Sequence, residues 1–268
     1  TTGHDRSPIE VVAVFGPTAS GKSALATAVA DTLGTEVVSA DAMQVYRGLP
    51  ILTNQSTPPE RLVGFRELDE EMSVGAFATL AHREIDGLVE SFGTAVVAGG
   101  TGLYLRAALT DLDVPPRAPR ETRARIETEV ARDSGSAHAR LVELDPAAAV
   151  VVHANDRQRL ARALELAETG HSLARGGALW SPSTRRRTIV VGIDVPAAVL
   201  QRRIRERAGR MFRDGVVAEV QAALRQPVSR TAEKALGLRE IATLPPDEAL
   251  ERIVVRTRRY AAYQRKWM

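Results

Sequence analysis

The chain has 268 residues, of which 44% are hydrophobic and 26% charged, with a formal net charge of +3; this is a soluble globular composition, large enough for one sizeable core or a core with an insert. Cysteine is absent, which excludes disulfides, thiol catalysis and cysteine-ligated zinc and accords with the cytoplasm; the five histidines show no metal-ligand spacing. No apolar run reaches the ~18 residues of a membrane span, so no membrane partner is expected, and Thr1–Pro8 reads as a loose polar leader.

The first element in chain order is an apolar strand, Val11-Val12-Ala13-Val14-Phe15. It runs into Gly16-Pro17-Thr18-Ala19-Ser20-Gly21-Lys22-Ser23 and then a helix-like stretch from Ala24 to Ala30. Strand, G-x-x-x-x-G-K-S and helix in this order make a phosphate-binding loop. Its backbone N–H groups and the positive end of the following helix would cradle a polyphosphate or pyrophosphate. Lys22 supplies a point charge, and the Ser23 hydroxyl is the candidate ligand of Mg²⁺, the expected cofactor. A second strand, Glu36–Ala40, ends at Asp41. Ligands of α/β sheets sit at the carboxyl ends of strands, which puts Asp41 beside the loop. There it can hold Mg²⁺ through water or take a proton from a nucleophile; it can also cap the turn Ala42–Tyr46.

Residues 47–71 read as loop and 74–90 as helix. A third strand, Thr94–Ala98, ends in Gly99-Gly100-Thr101-Gly102. A nucleotide hydrolase would carry a Mg²⁺-holding aspartate there. Two glycines instead permit close backbone approach, and Thr101 offers a hydroxyl. That points away from motor-type hydrolysis and toward group transfer on a nucleotide-kinase-like build. A helix follows over 103–109.

The proline-rich stretch Asp113–Pro119 then marks a boundary. Residues 120–169 read as four helices, with Gly170 as a C-terminal cap, and Gly176–Arg187 as loop. Thr188–Ile193 returns as a core strand. A basic helix, Ala197–Gly209, carries Arg203 and Arg207 on one face, able to reach over the phosphate loop. Helices over 216–224 and 246–267 close the chain. The expected organisation is a core of 1–112 and 188–268 interrupted by an all-helical insertion, 113–187. The fold expected is α/β, P-loop NTPase-like, a parallel sheet with helices on both faces. Lysine occurs only as Lys22, Lys234 and Lys266; arginine clusters at 157–162, 185–187, 202–210 and 256–259. These clusters suit either an anionic partner larger than a nucleotide or solvated helix faces paired with Glu and Asp.

Several segments together resemble the tRNA dimethylallyltransferase (tRNA isopentenyltransferase) family. They are Gly16–Ser23, Ser39–Leu49, Ala98–Tyr104, Leu144–Ala149, His153–Glu165, Arg203–Arg207 with Met211, Lys234–Glu240, and Arg256–Ala261 with Gln264 and Trp267. The resemblance spans nearly the whole chain, and Asn155-Asp156-Arg157-Gln158-Arg159-Leu160-Ala161-Arg162-Ala163-Leu164-Glu165 is its most specific stretch. It implies transfer of a five-carbon group from dimethylallyl diphosphate to N6 of the adenosine just 3′ of the anticodon, in tRNAs reading codons that begin with U. The phosphate loop would hold the departing diphosphate. Lys22, Ser23 with Mg²⁺, and Arg207 would neutralise its charge. Asp41 would accept the N6 proton, and Thr101 would orient Asp41 or the amine. The base would be flipped into the core, and the helical insertion would clamp the anticodon stem-loop. By position, Asp41, Ala42, Met43, Gln44, Thr101, Arg123, Gln158, Arg159, Leu160, Ala161, Arg162, Lys234, Gly237 and Arg239 would touch tRNA, the arginines meeting phosphate and amides such as Gln44 and Gln158 reading adenine edges. A monomer is expected.

The chain also departs from the family pattern. Leu52-Thr53-Asn54-Gln55-Ser56 replaces the usual Gly-Thr-Ala-Lys-Pro, Gly64-Phe65-Arg66 stands at Pro-His-His, and Leu238 follows the late glycine. The sequence ends at Met268, ahead of the C-terminal tail or zinc finger of many members. These changes bear on tRNA contacts more than on the chemistry. An adenylate isopentenyltransferase acting on free AMP, ADP or ATP is the alternative. A small-metabolite kinase is a further reading, but a kinase-type lid sequence and a recognisable acceptor pocket are missing, and the intact Lys22, Ser23, Asp41 and Thr101 argue against a catalytically dead tRNA-binding protein.

Overall fold

The computed structural model describes residues 8–111, 115, 118–174 and 183–267. The leader up to Ser7, the boundary at Asp113 and the Gly176-Gly177 stretch lie outside the described residues. The chain divides into two units, one of Thr1–Asp111 with Thr184–Met268 and one of Leu112–Ser183.

In the first unit, four parallel strands stand in the order β2-β3-β1-β4. They are β1 (Val11–Phe15), β2 (Val37–Ser39), β3 (Ala95–Gly99) and β4 (Thr188–Gly192). β1 is central, with Val11 opposite Ala95 on one side and Thr188 on the other. Its continuous apolar run is the pattern of a strand covered on both faces. Val14, Val96 and Ala98 pack with Val37 and with Ala26 and Ala30 of α1 (Lys22–Leu33). β4 corrects an expectation. It pairs with β1, but as the edge strand, and Ile189, Val190 and Val191 are exposed. Its apolar run reads as buried in sequence because periodicity cannot distinguish a covered strand from an uncovered one.

The stretch after β2 is more ordered than its prolines and glycine indicate. It contains a one-turn helix, α2 (Pro50–Thr53), whose N–H groups at Ile51 and Leu52 donate to Glu219 at 2.7 and 2.8 Å. Arg61 also bridges to Val38 of β2. α3 (Val74–Phe92) is capped by the Ser73 hydroxyl and packs Phe77, Ala81, Ile85 and Leu88 inward. α4 (Gly102–Leu109) follows β3.

In the second unit, α5 (Arg120–Arg132), α6 (Ser134–Leu144), α7 (Pro146–Val151) and α8 (Arg157–Glu168) enclose a core of Ile126, Val130, Leu141, Val152, Leu160 and Leu164. Asp133, Asp145 and Asp156 cap α6, α7 and α8 with side-chain oxygens, as N-cap aspartates do. Gly170 takes a φ of +77°, and its N–H reaches the Ala167 carbonyl, closing α8 as expected.

Back in the first unit, α9 (Ala197–Arg213) runs a turn longer than the sequence reading, to the Arg213-Asp214 end. α10 (Val216–Ala223), a 3₁₀ turn at Ala232–Lys234, α11 (Leu238–Thr243) and α12 (Pro246–Arg265) complete it. The 3₁₀ turn and α11 are short elements that periodicity did not reveal.

Candidate active site

The phosphate loop has the backbone its sequence requires. Ala19 and Gly21 take left-handed φ of +64° and +98°, and α1 begins directly at Lys22. Successive N–H groups therefore converge as an anion nest at a helix N-terminus. α9 reaches this loop twice, four residues apart. Arg203 donates to the Ser20 carbonyl at 3.0 Å, and Arg207 donates to the Thr18 hydroxyl at 3.0 Å. Ser20 itself is buried, and among the described residues its hydroxyl lacks a partner. Gly16 and Pro17 are buried at the base of the loop, and Ser23 is half-buried in the first turn of α1.

Beside the loop opens a cavity of about 480 Å³. Thr18, Lys22, Asp41, Ala42, Met43, Gln44, Thr101, Arg207 and Lys234, all expected at the site, line it. One wall is apolar, formed by Ile204, Ala208, Met211, Leu236 and Ile253. Asp41 accepts from the N–H groups of Met43 at 2.8 Å and Gln44 at 3.3 Å through one oxygen, Oδ1. It therefore caps its turn and lines the cavity at once, so capping does not exclude a chemical role.

The electrostatics match a cavity built for an anion. Burial lowers the Lys22 ammonium below its ordinary value, with Arg207 adding to the effect and Asp41 and Glu60 opposing it. Burial likewise lowers the Arg207 guanidinium, against the attraction of Asp41. Two desolvated cations close together are costly without an anion between them. Burial raises Glu60, which faces Lys22 and Asp41. Among the described residues no group of three or more His, Cys, Asp or Glu could hold a metal. The oxygen donors present, the Ser23 hydroxyl and the Asp41 carboxylate, nevertheless suit Mg²⁺, which takes most of its ligands from water and substrate phosphate.

The glycines after β3 are explained by close approach. A Cβ on Gly100 would lie 2.5 Å from the Gln264 amide nitrogen and 2.9 Å from the Gly16 carbonyl. Gln264 is 2% exposed and accepts from the Thr18 N–H at 2.8 Å. Tyr260, one turn earlier on α12, places its hydroxyl 2.8 Å from that of Thr101. The sequence reading missed both as site residues. Their spacing of four is visible, but periodicity does not say which face of a helix meets a site and which meets the core.

Other calls change. Gln44 donates to the Thr53 and Asn54 carbonyls and accepts from the Ser39 hydroxyl; its amide is engaged within its own chain, leaving one acceptor lone pair for a base. Leu160 and Ala161 are buried, at 0% and 8% exposure, in the helical unit's core, so their side chains are not available to a tRNA. The specific stretch that contains them is half packing. Gln158 and Arg159 are exposed on α8, whereas Arg162 is bound to Glu165 and the Pro115 carbonyl. Arg123 is half-buried on α5. Gly237 is buried just behind the cavity lining, with a φ of +102° and a Cβ position 3.0 Å from Leu52 and 3.1 Å from Ile253, so backbone and packing are sufficient to explain a glycine there. Arg239 is exposed on α11 and does not line the cavity.

The IPP transferase family model matches residues 44–268, and the isopentenyl transferase model matches residues 9–67. The chain belongs to the IPP transferase family. It is 40% identical to a tRNA dimethylallyltransferase of Salinispora arenicola over 96% of this chain and 79% of that one. It is equally identical to one from Anaeromyxobacter dehalogenans, over 97% and 92%. Among solved structures, a tRNA isopentenylpyrophosphate transferase of Bacillus halodurans superposes with a TM-score of 0.68 at 29% identity, covering 97% of this chain and 86% of that one. A eukaryotic dimethylallyltransferase acting on tRNA gives 0.81 at 25% identity, covering 97% and 70%. This IPP transferase thus carries the α/β core its phosphate loop announced. Among its described residues no helix is long and apolar enough to cross a membrane.

Proposed function

We propose that this protein transfers the dimethylallyl group of dimethylallyl diphosphate to N6 of the adenosine 3′-adjacent to the anticodon in tRNAs reading codons that begin with U, releasing diphosphate. The observation that carries this reading is the convergence of Lys22, Arg207, Asp41 and Thr101 on one cavity with an apolar wall. An ATP hydrolase has no use for an apolar wall beside its terminal phosphates; a prenyl donor does. The relatives named above are tRNA enzymes over nearly the whole chain, which favours tRNA over free AMP, ADP or ATP as acceptor. A tRNA substrate also fits a cytoplasmic protein.

The chain's residues divide the work as follows. The phosphate-loop N–H groups and the start of α1 bind the diphosphate. Lys22 and Arg207, already desolvated, stabilise the negative charge that grows on it as the C–O bond breaks. The apolar wall keeps water from the allylic carbon. N6 attacks that carbon, and Asp41, on the loop after β2, takes its proton; an exocyclic amine is too weak a nucleophile to attack without losing it. Mg²⁺, held by the Ser23 hydroxyl and diphosphate oxygens, would add charge neutralisation. Exposed Gln158 and Arg159 of the helical unit meet tRNA, and in the core unit Lys234 lines the cavity.

The decisive test is incubation with labelled dimethylallyl diphosphate and, in parallel, tRNA, AMP, ADP and ATP. Label in tRNA alone is expected. Label in a free nucleotide but not tRNA would overturn the acceptor assignment, and label in none would overturn the reaction.

A further inference from the structure

α12 enters the site along one stripe. Tyr260 and Gln264 are four residues apart on one helix face, and Trp267 follows just beyond the helix end at Arg265. Each meets a different piece of the catalytic loops. The Tyr260 hydroxyl bonds the Thr101 hydroxyl at 2.8 Å. The Gln264 carbonyl oxygen accepts from the Thr18 N–H of the phosphate loop at 2.8 Å. Trp267 lies so close to Gly102 that a Cβ there would sit 2.3 Å from its ring. Tyr260 and Gln264 stand one turn apart on α12, and the Asp41 charge acts on Tyr260. One turn of α12 therefore holds both the loop proposed to grip the leaving group, through Gln264, and the Thr101 hydroxyl, through Tyr260.

Thr101 needs such a partner. A threonine hydroxyl rotates freely unless bonded, and its one proton can point only one way. With Tyr260 fixing one direction, the remaining lone pair or proton is aimed into the cavity, where Asp41 and the acceptor amine meet. Tyr260 lines that cavity itself, yet its hydroxyl is used on Thr101.

We propose that Tyr260 is a positioning residue for the prenyl transfer, acting through Thr101, with Gln264 tying this pair to the phosphate loop. The inference rests on the reaction proposed above. Positioning of this kind affects the reacting geometry and leaves substrate binding largely alone.

The test uses the full chain with dimethylallyl diphosphate and tRNA under single- and multiple-turnover conditions. Tyr260→Phe removes only the hydroxyl and is expected to lower kcat about tenfold, with KM for both substrates changed less than about twofold. Thr101→Ala is expected to lower kcat by at least as much, and the double variant no further than Thr101→Ala alone. Thr101→Ser, which keeps a hydroxyl for Tyr260, should recover most of the rate. Tyr263→Phe, on the same helix but exposed and outside the cavity wall, should behave as wild type. A kcat for Tyr260→Phe within about twofold of wild type, or losses that multiply in the double variant, would overturn the inference. So would a Tyr260→Phe loss confined to its melting temperature. Should Tyr260→Phe not fold, equal rates for Thr101→Ser and Thr101→Ala would overturn it. Inactivity of the wild-type chain itself toward tRNA is a separate outcome, which removes the underlying reaction and the inference with it.

Discussion

Arg207 of the core unit and Arg140 of the helical unit are both half-buried guanidiniums, and they are treated differently. Arg140 donates through Nε and Nη2 to both oxygens of Glu129, at 2.8 and 2.7 Å, and through Nη1 to Glu168 at 2.6 Å. Glu168 in turn holds Arg125 at 2.5 Å. Among the described residues Arg207 has one hydrogen bond, to the neutral Thr18 hydroxyl, and makes no ion pair. Its charged neighbours include Arg210 and Lys22, with Asp41 the attractive one. A cation whose donors are filled by carboxylates braces helices. A cation left beside other cations over an anion nest is held for a ligand. Counting arginines in sequence cannot make this distinction, because both kinds sit on amphipathic helices with glutamates nearby.

The comparison breaks most sharply at the base. Asp41→Ala is expected to lower turnover about 10²–10⁴-fold while leaving tRNA affinity nearly unchanged; equal losses in rate and in binding, read by single-turnover kinetics and filter binding, would make Asp41 merely the cap of its turn. The arginines come next and should separate cleanly. Arg207→Ala is expected to lower kcat about 10²–10³-fold with little change in unfolding free energy. Arg140→Ala should leave kcat intact and cost about 1–2 kcal/mol in denaturant unfolding. A reversed pattern would erase the distinction between ligand-facing and bracing cations.

How far the sequence carried depended on whether chemistry or packing dictated the residue. Lys22, Asp41 and Thr101 were legible as cavity-lining residues because a strand's carboxyl end and a phosphate loop leave few places for a site. Gly100 was legible as close approach, though not what approaches it. Leu160 and Ala161 were misread for the opposite reason. They lie within the family's most specific stretch, but at helix positions facing Leu164 and the core, and a stretch can be distinctive for packing as well as for contact. Tyr260 and Gln264 went unassigned because their partners, Thr101 and Thr18, are 159 and 246 residues away. The exposed face of β4 was misread because burial of a strand depends on what is laid over it. The family resemblance supplied the substrate; the residues alone reached only group transfer from a phosphorylated donor.

A smaller effect is expected on α8, where exposure separates Arg159 from Arg162. Arg159→Ala should weaken tRNA binding modestly and reduce the dependence of log affinity on log salt by about one unit, the mark of one lost phosphate contact. Arg162→Ala removes a guanidinium bound to Glu165 and Pro115, and should leave that slope unchanged while lowering stability. Affinities measured at several salt concentrations decide between them.

The smallest effect is the acid limb of stability, and it sharpens what bracing means. Burial raises Glu168, but hydrogen bonds from Arg140 and Arg125 outweigh it and hold the carboxyl below its ordinary 4.5. A carboxylate depressed in the folded state adds stability in full above its unfolded value and loses it as pH falls through the folded one. In the core unit, Asp86 follows the same rule. Its burial is outweighed by Arg185 and Arg186, which hold it below 3.8. Both contributions are thus complete at neutral pH and disappear in acid, below pH 4.5 for Glu168 and lower for Asp86. Arg140→Ala should therefore destabilise the chain most at neutral pH, and its difference from wild type should shrink as pH falls below 4.5. Thermal melts of both proteins across that range measure it. A difference constant with pH would mean that Arg140 braces the helices through the packing of its aliphatic stem and not through its charge.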